Sequence, residues 1–180
     1  DGTAPSEGHG FQLHVGPMGT DVRGRVKIKS ADPLEYPSIL FNYLSTPNER
    51  KEWCEAVRLS RKIIETEAMS ELMGKELSPG LEVQTDEEIL DFIAKEGESA
   101  YHPSSTCKMG VDPLSVTDAS LRVHGVENLR VVDASVFPYV TNGNIYSPVM
   151  MVAEKAADLI LGNSPLKAEH LPFYKKEMKA

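Results

Sequence analysis

Residues 147–162, SPVMMVAEKAADLILG, place the strongest constraint on the fold. Proline in a first helical turn gives up no hydrogen bond, and glycine just past a last turn accepts the left-handed conformation that ends a helix. The pattern predicts a helix that begins after Ser147, with Pro148 at its first position and Gly162 as its stop. Val149, Val152, Ala153, Ala156 and Ile160 then share one stripe at helical spacing. The alanines in that stripe permit close approach to a sheet, as in an α/β unit. Glu154, Lys155 and Asp158 interrupt the run, which is too polar to cross a bilayer.

The upstream half follows a different pattern. Phe11, Leu13 and Val15 alternate with Gln12 and His14, a strand period. RVKIK, residues 25–29, alternates in the same way and predicts Val26 and Ile28 inward, with a wet basic face, as in an antiparallel sheet. Pro33 and Pro37 mark an irregular connection, and ILFNYL predicts a further short strand. Thr46, Pro47 and Glu49 spell a capping box and open a helix with Trp53, Val57, Ser60 and Ile64 on its stripe. Thr85 and Glu88 spell a second box, ahead of Ile89, Phe92 and Ile93 and a stop at Gly97. SLRVHG and NLRVVDAS predict two strands joined by a turn at GVEN. The chain thus divides into strands with separate helices over about 11–100 and a strand–loop–helix unit over about 120–162, an α/β (α+β) class.

A formal net charge of −8 speaks against a nucleic-acid partner. Cys54 and Cys107 offer neither metal-ligand spacing nor a disulfide framework. The start, DGTAPSEGHG, has no basic and apolar leader and no initiator Met, so a fragment of a longer protein is expected.

Two loops carry candidate chemistry. In YHPSSTCKMG, residues 101–110, His102 has no nearby zinc ligands and no G-x-S-x-G elbow. It is either a structural loop histidine or an acid–base group, and the residues alone leave both open. In VTNGNIYSP, Asn144 stands just before a helix start. Unpaired N–H groups there suit an anion or an electron-rich carbonyl. An ordinary Asn-Gly turn is the plainer reading.

These two stretches, with LRVHGVENLRVVDASVFP between them and FQLHVGP, SADP and FNYLS upstream, resemble in order the C-terminal signature of the glucose–methanol–choline (GMC) flavoprotein oxidoreductases. Among its members the choline-oxidising ones are most similar. The resemblance covers about residues 11–162. It implies an antiparallel-sheet substrate domain with covering helices, plus the C-terminal strand–loop–helix of an FAD-binding domain. Residues 1–10 become a flexible lead-in, 11–110 the substrate-binding part, 111–162 the segment returning to the FAD-binding domain, and 163–180 a surface tail with a short terminal helix.

The resemblance also implies roles. His102 and Asn144 fall on the family's catalytic pair, and Tyr101 on an aromatic position lining the choline pocket. Asp133, Ala134 and Ser135 fall on a flavin-contacting stretch, and Asn144, Ile145 and Pro148 on the loop beside the flavin ring. The implied cofactor is FAD and the implied substrate a small alcohol, choline foremost. The implied location is cytoplasmic or peripheral at an inner membrane. Ser105 and Thr117 depart from the choline-oxidising pattern, where cysteine and valine are common. No G-x-G-x-x-G occurs, so most of the FAD cradle is expected on an N-terminal part that completes this one. Alone, the chain is expected to bind flavin weakly, to be inactive, and to self-associate as a homo-oligomer through uncovered apolar faces.

Overall fold

The computed structural model describes residues 8–172. It holds two small cores linked by loops and one hairpin. In chain order the elements are β1 (Arg25–Lys27), β2 (Ser38–Leu40), α1 (Pro47–Ile64), α2 (Asp86–Glu96) and α3 (Tyr146–Leu161), with short 3-10 turns at Glu67–Met69 and Ala134–Val136.

The first core lies between α1 and α2. Thr46 is extended and its side chain accepts from the Glu49 N–H at 3.1 Å, which starts α1 where the sequence predicts. Thr85 starts α2 in the same way, and there both halves of the capping box are made. Cys54 and Val57 from α1 meet Ile89 and Ile93 from α2, with Trp53, Leu44, Val83, Leu90 and Phe92 around them. The connection between the helices is clasped by Arg61. Its guanidinium pairs with Glu76 at 2.8 Å and donates to the Val83 and Gly80 carbonyls at 2.7 and 2.9 Å.

The second core lies under α3. Val152 and Ala156 pack on Leu121, Val136 and Phe137, flanked by Met109, Val131, Ile145 and Val149. The helix begins earlier than expected. Ile145 holds the cap position with no side-chain bond, and Pro148 is the third helical residue. That position is equally free of cost, because its N–H has no intrahelical acceptor. Gly162 ends the helix at φ 71°, the left-handed cap the sequence predicts. The small face of α3 meets loop side chains rather than a sheet. Ile160, expected on the buried stripe, is 57% exposed because the core ends at Ala156.

The strands depart furthest from expectation. Residues 11–15 form no strand. β1 and β2 pair antiparallel, Arg25 with Leu40, Val26 with Ile39 and Lys27 with Ser38. Val26 and Ile28, expected inward, are 52% and 89% exposed. A two-stranded hairpin buries neither face unless another layer packs on it. β2 stops at Leu40, and Asn42 and Leu44 follow with φ of 65° and 58°. Around SLRVHG and NLRVVDAS only single bridges form, Thr117 with Val123 and Arg122 with Arg130. Leu121 and Asn128, at φ 64° and 60°, interrupt the extended backbone there. Residues 163–172 are exposed and irregular. The expected lead-in over 1–7 and the end of the tail over 173–180, where a terminal helix was expected, lie outside the described residues.

Candidate active site

The loop carrying His102 leaves α2 at Gly97 and is fixed by backbone bonds. The amides of Ser105, Cys107 and Met109 donate to the carbonyls of Ala134, Ser135 and Val136 at 3.4, 2.9 and 2.8 Å. The accepting turn is itself capped by Asp133, whose Oδ1 accepts from the Ser135 N–H at 2.7 Å. Tyr101 and Ser105 sit at φ 56° and 72° on either side of residues 102–104. Left-handed backbone at non-glycine residues costs on the order of 1–3 kcal/mol each, and the surrounding structure has to hold it. Ser99 Oγ, accepting from the Tyr101 N–H at 3.1 Å, is one such hold.

This loop brings His102 to Asn144. Their side chains, 42 residues apart in sequence, meet with Nε2 and Oδ1 at 2.9 Å. The pair can form in two ways. Nε2 donates to Oδ1, or, with the amide turned over, Nε2 accepts from the Asn144 N–H and keeps the lone pair a general base uses. His102 Nδ1 is buried with no partner, as is Thr141 Oγ1 in the adjoining loop.

The remaining residues singled out in the sequence fall around this pair. Asn144 is one residue before the Ile145 cap, so the pair stands at the start of α3. Ile145 and Pro148 are half-buried there. Ala134 and Ser135 touch the histidine loop through their carbonyls, while Asp133 is exposed and engaged in its cap. Tyr101 is next to His102 in sequence, but the residue is 79% exposed. Thr141 and Tyr139 were not singled out in the sequence, and Gly143 only as half of an Asn-Gly turn. No periodicity marks them, and only the fold shows that their loop delivers Asn144.

The start of α3 has no side-chain cap, so its first-turn N–H groups and the positive end of the helix dipole stay available. That arrangement fits an electron-rich ring carbonyl such as a flavin carries. A groove along α1, lined by Met18, Asp21, Glu52, Arg58 and Lys62 among others, includes none of these residues. Among the described residues no three histidine, cysteine or carboxylate side chains group as a metal site. No helix among them is long and apolar enough to cross a membrane.

A family model for GMC oxidoreductase matches residues 20–153. The chain belongs to the GMC oxidoreductase family. It is 56% identical over 178 residues to the oxygen-dependent choline dehydrogenase of Staphylococcus aureus (strain JH9), covering 97% of this chain and 31% of that protein. In structure it is similar to pyridoxine 4-oxidase from Mesorbium loti, with a TM-score of 0.76 at 34% identity over 82% of this chain and 29% of the other. A fungal aryl-alcohol oxidase matches with a TM-score of 0.69 at 30% identity, over 81% and 24% of the two chains. The chain therefore spans under a third of the length of these relatives. The fold they share with it is a mixture of helices and a small antiparallel sheet.

Proposed function

We propose that this chain is the C-terminal catalytic part of an FAD-dependent alcohol dehydrogenase that oxidises choline to betaine aldehyde. The observation that carries the reading is the His102–Asn144 pair at the uncapped start of α3. The similarity to a choline dehydrogenase supports the substrate. FAD, when bound, accepts the hydride from the alcohol carbon. The alcohol oxygen enters between the two side chains and takes over their hydrogen bond. His102 Nε2 removes the hydroxyl proton, which an imidazole does well near neutral pH. Asn144 donates to the same oxygen as negative charge develops. Tyr101 offers a ring face to the trimethylammonium group, an attraction of about 0.5–2 kcal/mol.

Asp133, Ala134, Ser135, Asn144, Ile145 and Pro148 would hold the flavin end of the cofactor, with the rest of its site on an N-terminal part. The uncovered apolar side chains of the hairpin, Val26, Ile28, Leu34, Tyr36 and Ile39, support such a part as their cover. The division into a substrate-binding part over 11–110 and a flavin-side segment over 111–162 belongs to the same reading. It is supported by the separation of the two cores, with Met109 already packed in the second.

In the flavoenzyme containing this chain, His102→Ala is expected to lower choline turnover by about 10²–10⁴-fold while the flavin absorbance stays. Asn144→Ala acts in the same direction. Unchanged turnover in His102→Ala, under conditions where chemistry limits the rate, would remove the assigned role.

A further inference from the structure

Residues 16–23 form a strap between the two cores. On one side the strap is tied to α1. A side chain at Gly16 would stand 3.3 Å from the Trp53 ring, so the strap lies against that indole. Thr46, the cap of α1, donates its hydroxyl to Asp21 at 2.8 Å. Val22 is buried. Beyond Arg23 the chain is locked into the hairpin. A Cβ at Gly24 would collide with the Leu40 carbonyl, and Asn42 Nδ2 donates to the Arg23 carbonyl at 3.3 Å.

On its other side the strap touches the loop that delivers Asn144. The Arg23 guanidinium lies 5.2 Å above the centre of the Tyr139 ring. Its plane is set by the strap itself, because Nη1 donates to the Val22 and Thr20 carbonyls at 2.8 and 3.3 Å. The Met18 methyl lies 3.9 Å from where a side chain at Gly143 would stand, and Gly143 holds φ +86°. The loop from 138 to 144 is anchored at its ends by Phe137 and Ile145 in the second core. Between those anchors the strap supplies its contacts near both ends of the loop, and Asn144 follows the second of them.

We propose that Arg23 is a positioning residue for Asn144: stacked on Tyr139, and helped by Met18 against Gly143, it fixes the loop so that the Asn144 amide faces His102. The proposal rests on reading that pair as the reactive centre, but its geometry is independent of any cofactor. It also explains why the strap belongs to α1 on one side. Movement of the helix pair would reach the site through Asp21, Arg23 and Tyr139.

The test uses the full chain and the imidazole ¹⁵N signals of His102, which report the tautomer and its hydrogen-bond partner. Asn144→Ala defines the unpaired spectrum. Arg23→Ala and Tyr139→Leu are each expected to lower the paired-to-unpaired ratio by about 2- to 5-fold. The double variant should do no more than either alone. Arg23→Lys and Tyr139→Phe, which keep a cation and a ring face, should restore the paired spectrum and guard against a variant that simply fails to fold. His102 signals in Arg23→Ala that match the parent, while Asn144→Ala moves them, would overturn the proposal and leave the functional reading standing. Signals unmoved by Asn144→Ala would overturn the pairing and the proposal with it. Retained turnover in His102→Ala would instead strike the functional reading alone.

Discussion

The helix starts TPNE and TDEE carry the same reciprocal cap in sequence, yet only one of them closes. At α2, Glu88 N–H donates to Thr85 Oγ1 at 3.2 Å, and Glu88 Oε2 accepts from the Thr85 and Gln84 amides at 2.9 and 3.0 Å. Those N–H groups hold the exposed Glu88 carboxyl below its ordinary range. At α1, Thr46 makes its half of the box and gives its own hydroxyl proton to Asp21. Glu49 is turned under the helix, 5% exposed, with Oε2 unpartnered. Burial pushes its carboxyl above the ordinary range, against the pull of the Leu44 and Ser45 N–H groups and with help from nearby Asp21. The threonine sets the backbone in both helices. Whether the glutamate works as a charged cap is decided by what packs over it.

The largest effect comes from removing what the two helices share. Ile89 is fully buried between them, and Ile89→Ala is expected to cost about 2–5 kcal/mol in urea unfolding. A smaller loss than that from either cap variant would mean that the caps, and not the core, hold the pair. Next come the threonines. Thr85→Ala should cost about 1 kcal/mol and Thr46→Ala about 2 kcal/mol, because Thr46 also tethers the strap through Asp21. The reverse order would break the account of α1 as the more deeply built start.

The smallest effects sharpen the contrast by their sign. Glu49 has a raised folded value, so its contribution is full below the ordinary 4.5 and is lost as pH rises through the folded value. Glu88 has a lowered one, so its contribution is present above 4.5 and is lost as pH falls through the folded value. Thermal melts across pH should therefore show Glu49→Gln flattening the loss on the alkaline side of that window and stabilising the chain at neutral pH. Glu88→Gln should flatten the loss on the acid side. Two slopes of the same sign would end the comparison.

What the sequence disclosed follows the range of the forces involved. Thr46, Thr85 and Gly162 act within one turn of their own helices, and each stands where its residue type predicts. The start of α3 was displaced because Ser147 and Pro148 look like a cap, whereas the observed turn depends on Ile145 and Val149 packing on residues far away in sequence. The inward faces of RVKIK were illegible for a similar reason. Alternation tells which residues share a face, but burial of that face needs a layer that these residues do not provide. His102 and Asn144 stood out on their loops and took their roles from the resemblance, and their contact across 42 residues follows from loop paths that no period encodes. Arg23 over Tyr139 had no signal at all.

The stitching of the histidine loop has a consequence for heredity. Amides at every second position, 105, 107 and 109, meet carbonyls at three successive positions, 134, 135 and 136. The accepting side is a 3-10 turn and the donating side skips one residue between bonds, so the two count residues at different rates. A frame-preserving insertion or deletion of a single codon between Ser105 and Met109 puts the amides beyond it out of step with their carbonyls, and one between His102 and Ser105 shifts the histidine against the seam. It cannot be absorbed by sliding, since any slide trades every one of the three bonds. The exposed stretch over 164–172 has no such count to keep. Along a lineage, then, codons can come and go in that stretch, while the interval from the histidine to the seam keeps its number.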